Sequence, residues 1–275
     1  MKQLIGKALL KLTVVFFFIS ITYQSQASTI FANGPIPFST VWSADTVFVI
    51  GDITVNTGVI LTINPGTHVI FNGHYKLNVD GCLRAVGNSN AMIYFTISDT
   101  TGFSNISSNN GGWYGIRFNN NTSTDTSKLV YCNLSYGKAN GSTDDANGGA
   151  LFIYNSSKII VSNCTFDHNM AKTNGGGIYI RKSTARILFN QLTNNKCSSG
   201  GGIYISSGAP SVYNNTFISN YASNGGGGIF CTDTTLAKIN GNLIRHNLGL
   251  LGAGVGCFNA SPTFFLIQAL QLLLI

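Results

Sequence analysis

The sequence predicts an all-β solenoid, a parallel β-helix of about eight coils in a single domain. Three observations carry this. Two short markers alternate along the chain with one shared period. The apolar pieces are three or four residues long and alternate as strands do. The composition suits strands and tight turns rather than helices.

The first marker is glycine leading into an apolar residue. It reads Gly148-Gly149-Ala150-Leu151, Gly175-Gly176-Gly177-Ile178, Gly200-Gly201-Gly202-Ile203, Gly226-Gly227-Gly228-Ile229 and Gly252-Ala253-Gly254-Val255. Its last residue recurs after 27, 25, 26 and 26 residues. The second marker reads Phe166-Asp167-His168-Asn169, Leu192-Thr193-Asn194-Asn195, Phe217-Ile218-Ser219-Asn220 and Leu243-Ile244-Arg245-His246, recurring after 26, 25 and 26 residues. A period near 26 is too short for a helix pair with its loops, and it fits one coil stacked on the last at about 4.8 Å. Glycine before the strand suits a positive φ or close coil-to-coil approach. Asn169, Asn195 and Asn220 suit either a left-handed turn position or an amide ladder running from coil to coil.

At the start, Lys2, Lys7 and Lys11 precede the apolar run from Leu12 to Ile21, and Ser25-Gln26-Ala27 offers small residues for cleavage. Residues 1–27 are expected to be a secretory signal peptide, the run being too short for a good spanning helix. Removing them leaves 13 basic against 9 acidic residues, a net +4. That bias is weak and scattered, which argues against a nucleic-acid partner. Charged residues make up only 9% of the chain, against about 25% in ordinary proteins, and glutamate is absent.

Residues 28–46 read as a lead-in or cap, and 47–263 as the β-helix. The first half carries the coil in a worn form. Ile53 and Leu77 are 24 apart, as are Val55 and Val79, Val69 and Ile93, and Phe71 and Phe95. Gly115-Ile116-Arg117-Phe118 aligns with Ala150-Leu151-Phe152-Ile153. One inward column then runs Ile53, Leu77, Ile116, Leu151, Ile178, Ile203, Ile229, Val255. Its neighbour runs Val55, Val79, Phe118, Ile153, Ile180, Ile205, Cys231, Cys257. Such a rod would be on the order of 35–40 Å long, each coil stable through its neighbours.

Two insertions, Ile97 to Gly112 and Gly137 to Asn147, leave from one turn on successive coils. They are expected side by side on one flank, where loops on a rigid scaffold carry binding sites. They hold Asp99, Asn105, Asn109, Asp144, Asp145 and Asn147, but not the spacing of a known calcium loop. No metal or other cofactor is expected.

Between the inward columns side chains must point outward. That position reads Phe152, Tyr179, Tyr204 and Phe230, an exposed aromatic stripe. Flat rings there would stack on sugars laid along the rod, which makes these four residues the candidate binding site. They would also suit a ladder that stabilises the sheet by ring-on-ring contact.

Six cysteines in an exported chain raise the question of disulfides. Cys231 and Cys257 share an inward column on adjacent coils. Cys132 and Cys164 each sit two residues before a second-marker position, at Leu134 and Phe166. The Cβ atoms of such neighbours point in parallel, so buried free thiols are favoured. Cys82 and Cys197 have no evident partner. The nine acids fall at different coil positions; the best catalytic cluster, Asp167 and His168 with Arg181, reads as a chance grouping on a turn. No catalytic residue is assigned.

The Gly-Gly-Ala-Leu at 148–151 and the Phe-x-x-Asn at Phe166/Asn169 and Phe217/Asn220 resemble the paired motifs of chlamydial polymorphic outer-membrane proteins. They are also similar to the right-handed parallel β-helix repeats of secreted bacterial surface proteins. Ile60-Leu61-Thr62-Ile63-Asn64-Pro65-Gly66-Thr67 and Trp113-Tyr114-Gly115-Ile116 look like entry coils of such proteins. The resemblance covers about Val47 to Pro262. It implies a right-handed coil, export, and often a C-terminal anchoring or sorting module. The apolar stretch 264–275 departs from the repeat and is expected to mark a truncation. The resulting expectation is a secreted, surface-exposed scaffold for adhesion or glycan binding. Its partner would be a polysaccharide or a cell-surface glycan. The alternative is a polysaccharide lyase or glycoside hydrolase of the pectate-lyase-like superfold.

Overall fold

The computed structural model describes residues 27–265 and the backbone of 268–270. Most of the expected signal peptide and of the apolar tail therefore lies outside the described residues. Among those described, regular structure is almost all strand, with one 3-10 turn at Thr143–Ala146. No described helix is long and apolar enough to cross a membrane.

The strands stack in parallel into three long faces and one short face. One coil shows the path. Ile178–Ser183 lies in the first face, Arg186–Leu188 in the second, Gln191–Thr193 in the third and Lys196–Cys197 in the short face. The chain then turns through Gly200-Gly201-Gly202 into the first face again. Every strand is short because each side of the coil is only a few residues wide, and alternation puts Ile178, Ile180, Ile187 and Leu192 inside, fully buried.

The inward column is as read from the sequence. Leu151, Ile178, Ile203, Ile229 and Val255 are in direct register, and Ile53, Leu77, Ile116 and Leu151 continue it below. The stack also takes in Thr29–Ile36, which pairs in parallel with Thr46–Val55. Two registers differ from the sequence reading. Val69 lies on Phe95 and Phe71 on Ile97, two residues off the expected pairs. A slip of two keeps every side chain on its face, so alternation could not detect it. Near the end, Phe217 lies on Ile244 rather than Leu243. Here the slip is one residue, and it buries Ile244 while leaving Leu243 half-buried.

The turns explain the asparagines. Asn169 Nδ2 donates to Asn195 Oδ1 at 2.9 Å, Asn195 to Asn220 at 2.9 Å and Asn220 to Asn247 at 2.9 Å. The ladder is real, but the left-handed residues are the ones before it: His168, Asn194, Ser219 and His246, with φ of 52, 55, 55 and 56°. A second ladder, Asn190, Asn215 and Asn242, lines the turn between the second and third faces. It continues into Cys164, whose N–H donates to Asn190 Oδ1 at 2.9 Å. At the glycine turns, Gly148, Gly175 and Gly200 have φ of 67, 66 and 72°. A side chain on Gly176 would sit 2.5 Å from the Gly201 carbonyl oxygen, so only glycine lets the coils close.

Candidate functional site

The two insertions meet on one flank, as their shared turn predicts. Asn140 Nδ2 donates to Asn109 Oδ1 at 2.8 Å. Lys138, fully buried, donates from Nζ to the carbonyls of Asn110 at 2.6 Å and Gly102 at 3.2 Å. Burial lowers the Lys138 pKa from its ordinary value. One lysine thus ties the first loop to the coil that emits the second. His74 donates from Nδ1 to the Gly112 carbonyl at 2.8 Å, which fixes its tautomer while neutral. Burial is the main force holding its pKa below the ordinary value.

Beneath the second loop lies Arg117, buried between two rings. Its guanidinium is 4.7 Å from the Tyr114 centroid and 5.1 Å from that of Phe152. Nη1 donates to the carbonyls of Asn147 and Gly148. Nε and Nη2 have no partner among the described residues. Desolvation lowers the Arg117 pKa, against the pull of Tyr114 and Asp145. Tyr114 donates from its hydroxyl to the Asp145 carbonyl at 2.8 Å, and burial pushes its pKa up to about 12. Arg181 lies over Tyr154 at 4.2 Å and pairs with Asp144 at 3.7 Å. Aromatic rings and the loop backbone occupy these cations, so the flank works as a clasp.

The proposed aromatic stripe is in register but is not exposed. Phe152 and Tyr179 are each only 3% exposed and Phe230 8%, while Tyr204 is half-buried. Phe152 stacks on Tyr179 at 5.1 Å and 3°, and Tyr179 on Tyr204 at 5.3 Å and 4°. Phe230 is tilted by 33° at 5.9 Å. The ring faces that would meet sugars are covered by one another, and Arg117 covers the free face of Phe152. Burial raises the pKa of both Tyr179 and Tyr204.

Of the chance grouping Asp167, His168 and Arg181, only Asp167 and His168 come together. Asp167 bonds to His168 Nδ1 at 2.7 Å, Thr193 Oγ1 at 2.6 Å and Asn194 Nδ2 at 3.0 Å on the third face. Arg181 faces the loop on the first. Burial works to raise the Asp167 pKa, but these hydrogen bonds outweigh it and hold the carboxyl below its ordinary value. No group of three or more acidic, histidine or cysteine side chains is placed to hold a metal among the described residues.

A family model described as a right-handed β-helix region matches residues 128–267, half of the chain. The chain belongs to the right-handed β-helix family. No curated protein and no solved structure matches it.

All six cysteines of this β-helix are free thiols. Cys132 and Cys164 are buried and adjacent, the Cys132 N–H donating to Cys164 Sγ at 3.4 Å. Cys231 and Cys257 are in register, but Cys257 is exposed rather than buried as the column predicted. A feature that sequence reasoning missed is the turn between the second and third faces. There an open groove of about 700 Å³ runs past Tyr131, Asn163, Phe189, Gln191 and Asn214. Its sequence signal was the residue before each member of the second asparagine ladder.

Proposed function

We propose that this protein is a secreted, surface-exposed β-helix that binds glycan along its side without cleaving it. One observation carries the reading: the outward position of the third face runs Asn133, Thr165, Gln191 and Thr216 in strict register. Amides and hydroxyls repeated at about 4.8 Å on a rigid sheet match the dense hydroxyls of a sugar chain. Few charges interrupt them. Asp99 is held below its ordinary pKa mainly by a backbone hydrogen bond from Thr101, and Asp167 by hydrogen bonds that outweigh its burial, so neither of these two is poised as a general acid, which needs a shift in the other direction.

The test is retention of the purified chain on immobilised neutral and acidic polysaccharides, with and without calcium. Retention with no new reducing or unsaturated chain ends is expected. Release of such ends would overturn the non-catalytic reading, and absence of any retention would overturn glycan binding itself. A second reading, polysaccharide cleavage, is favoured by one feature: the unpartnered Nε and Nη2 of Arg117 beneath the 137–147 loop, near Asp145. The chain-end assay separates the two.

A further inference from the structure

We propose that the groove between the second and third faces is a binding site for a neutral oligosaccharide, with Tyr131 and Phe189 as its stacking platforms. This rests on the glycan-binding reading above and locates it.

Tyr131, Asn163, Phe189, Asn214 and Gly241 occupy the same turn on successive coils. All are left-handed, with φ of 49, 54, 56, 55 and 64°. Each donates its N–H up the stack: Tyr131 to the Ser162 carbonyl at 3.1 Å, Asn163 to Leu188 at 3.2 Å, Phe189 to Tyr213 at 3.0 Å and Asn214 to Asn240 at 2.9 Å. Asparagine and glycine adopt this conformation readily, whereas a bulky residue does so only under strain. Phe189 does so while 57% exposed. A strained position holding a large apolar side chain that the core does not use points to a role outside folding.

The surroundings give the ligand its class. Tyr131 and Phe189 are two coils apart, about 10 Å, a distance that two linked pyranose rings span. Between and beside them lie Asn163, Thr165, Gln191, Asn214 and Thr216. Their side chains have no hydrogen-bond partner among the described residues. Among the described residues no carboxylate lines the groove, and the one cation that does, Arg245, stands at one end. Rings for the apolar face of a sugar, with uncharged donors and acceptors for its hydroxyls, suit a neutral chain rather than a polyanion. Among the described residues neither ring is stacked on another, because Asn163 separates them and Asn214 follows.

Titration calorimetry of the intact chain with β-linked gluco-, xylo-, manno- and N-acetylglucosamine oligosaccharides tests this, with galacturonate oligomers as the acidic comparison. Phe189→Asn installs the residue that the same turn uses at Asn163 and Asn214. It is expected to melt no lower than the parent chain and to lose at least about ten-fold in affinity. Tyr131→Asn should lose affinity as well. If the parent chain binds a neutral oligosaccharide and Phe189→Asn binds it equally, the groove is wrong and the glycan-binding reading stands. If it binds only galacturonate oligomers, the groove is again overturned. If it binds none of them, both fall.

Discussion

Replacing Asn195 by alanine tests the stacking at its most connected point. Asn195 Oδ1 accepts from the Asn169 main-chain N–H at 3.0 Å and from Asn169 Nδ2 at 2.9 Å. Its Nδ2 donates to the Phe166 carbonyl at 3.0 Å and to Asn220 Oδ1 at 2.9 Å. Truncation leaves the buried Asn169 N–H without a partner, at about 1–3 kcal/mol, and removes three further bonds at about 0.5–1.5 kcal/mol each. These terms are not fully additive, and the expected loss is about 3–5 kcal/mol. The neighbours are not equally harmed. Asn169 Nδ2 keeps the Leu134 carbonyl at 3.0 Å, and Asn220 Oδ1 keeps the Asn195 N–H at 3.1 Å. Damage should therefore centre on the coil of Asn169. Urea unfolding gives the loss, and amide hydrogen exchange gives its place, with exposed Lys172→Ala as the control. Asn195→Asp adds a pH arm. An ionised carboxylate would face the Phe166 carbonyl and Asn220 Oδ1 as a third acceptor, so the folded state raises its pKa. Stability should recover as pH falls and the carboxyl protonates, and be lost as pH rises through the folded value. A loss below about 1 kcal/mol for Asn195→Ala, with the Asn169 amide as protected as before, would refute the ladder as a stacking device.

Three further outcomes follow from the flank, the third face and the thiols. Arg117→Met keeps the length that packs between Tyr114 and Phe152 and should cost no more than about 1–2 kcal/mol, whereas Arg117→Ala should cost about 2–4 kcal/mol. Thermal melting measures both, and limited proteolysis should show the 137–147 loop cut faster in both, since neither side chain donates to the Asn147 and Gly148 carbonyls, and fastest in the alanine variant. The neighbouring Cys231 thiol, in register on the coil below, lowers the Cys257 pKa to about 7, and Cys257 is the exposed member of the six. Iodoacetamide should give a single adduct by mass spectrometry, its rate rising half-maximally near that pH; a midpoint above about 8.5 would contradict an influence of Cys231 on this thiol. Asp167 has a depressed folded pKa, so its share of stability is present above the unfolded value and lost as pH falls through the folded one. Asp167→Asn should flatten the acid limb of the stability–pH curve, read from urea midpoints.

The architecture was legible because each coil repeats what the last one says. The glycine marker and the inward column from Ile53 to Val255 needed no change of register, and its neighbour failed only at exposed Cys257: a residue that must be small and one that must be apolar leave strong traces at a fixed period. The register of Phe71 was not legible, since a slip of two residues leaves inside and outside unchanged. The slip at Ile244 was harder still, because Leu243 and Ile244 are both apolar and either satisfies the pattern. Asn247 held the missing clue, as it is the asparagine that continues the ladder from Asn220. At the flank, the sequence placed the two loops together from their common turn. It could not show that Lys138 and Arg117 are buried beneath them, because insertion loops have no period from which to read depth.

The aromatic column and Phe189 together show what periodicity does to a ring. Coils repeat at about 4.8 Å, close to the spacing at which rings stack. Side chains that recur on every coil therefore spend their faces on one another, as Phe152, Tyr179 and Tyr204 do at 5.1 and 5.3 Å. A run of aromatics in register is for that reason a poor sugar platform, however outward its position. A ring keeps a free face only where the coils above and below carry something else. Phe189 meets that condition, with Asn163 below it and Asn214 above. In a solenoid the residue that breaks the column, not the one that continues it, is where a ligand can be received.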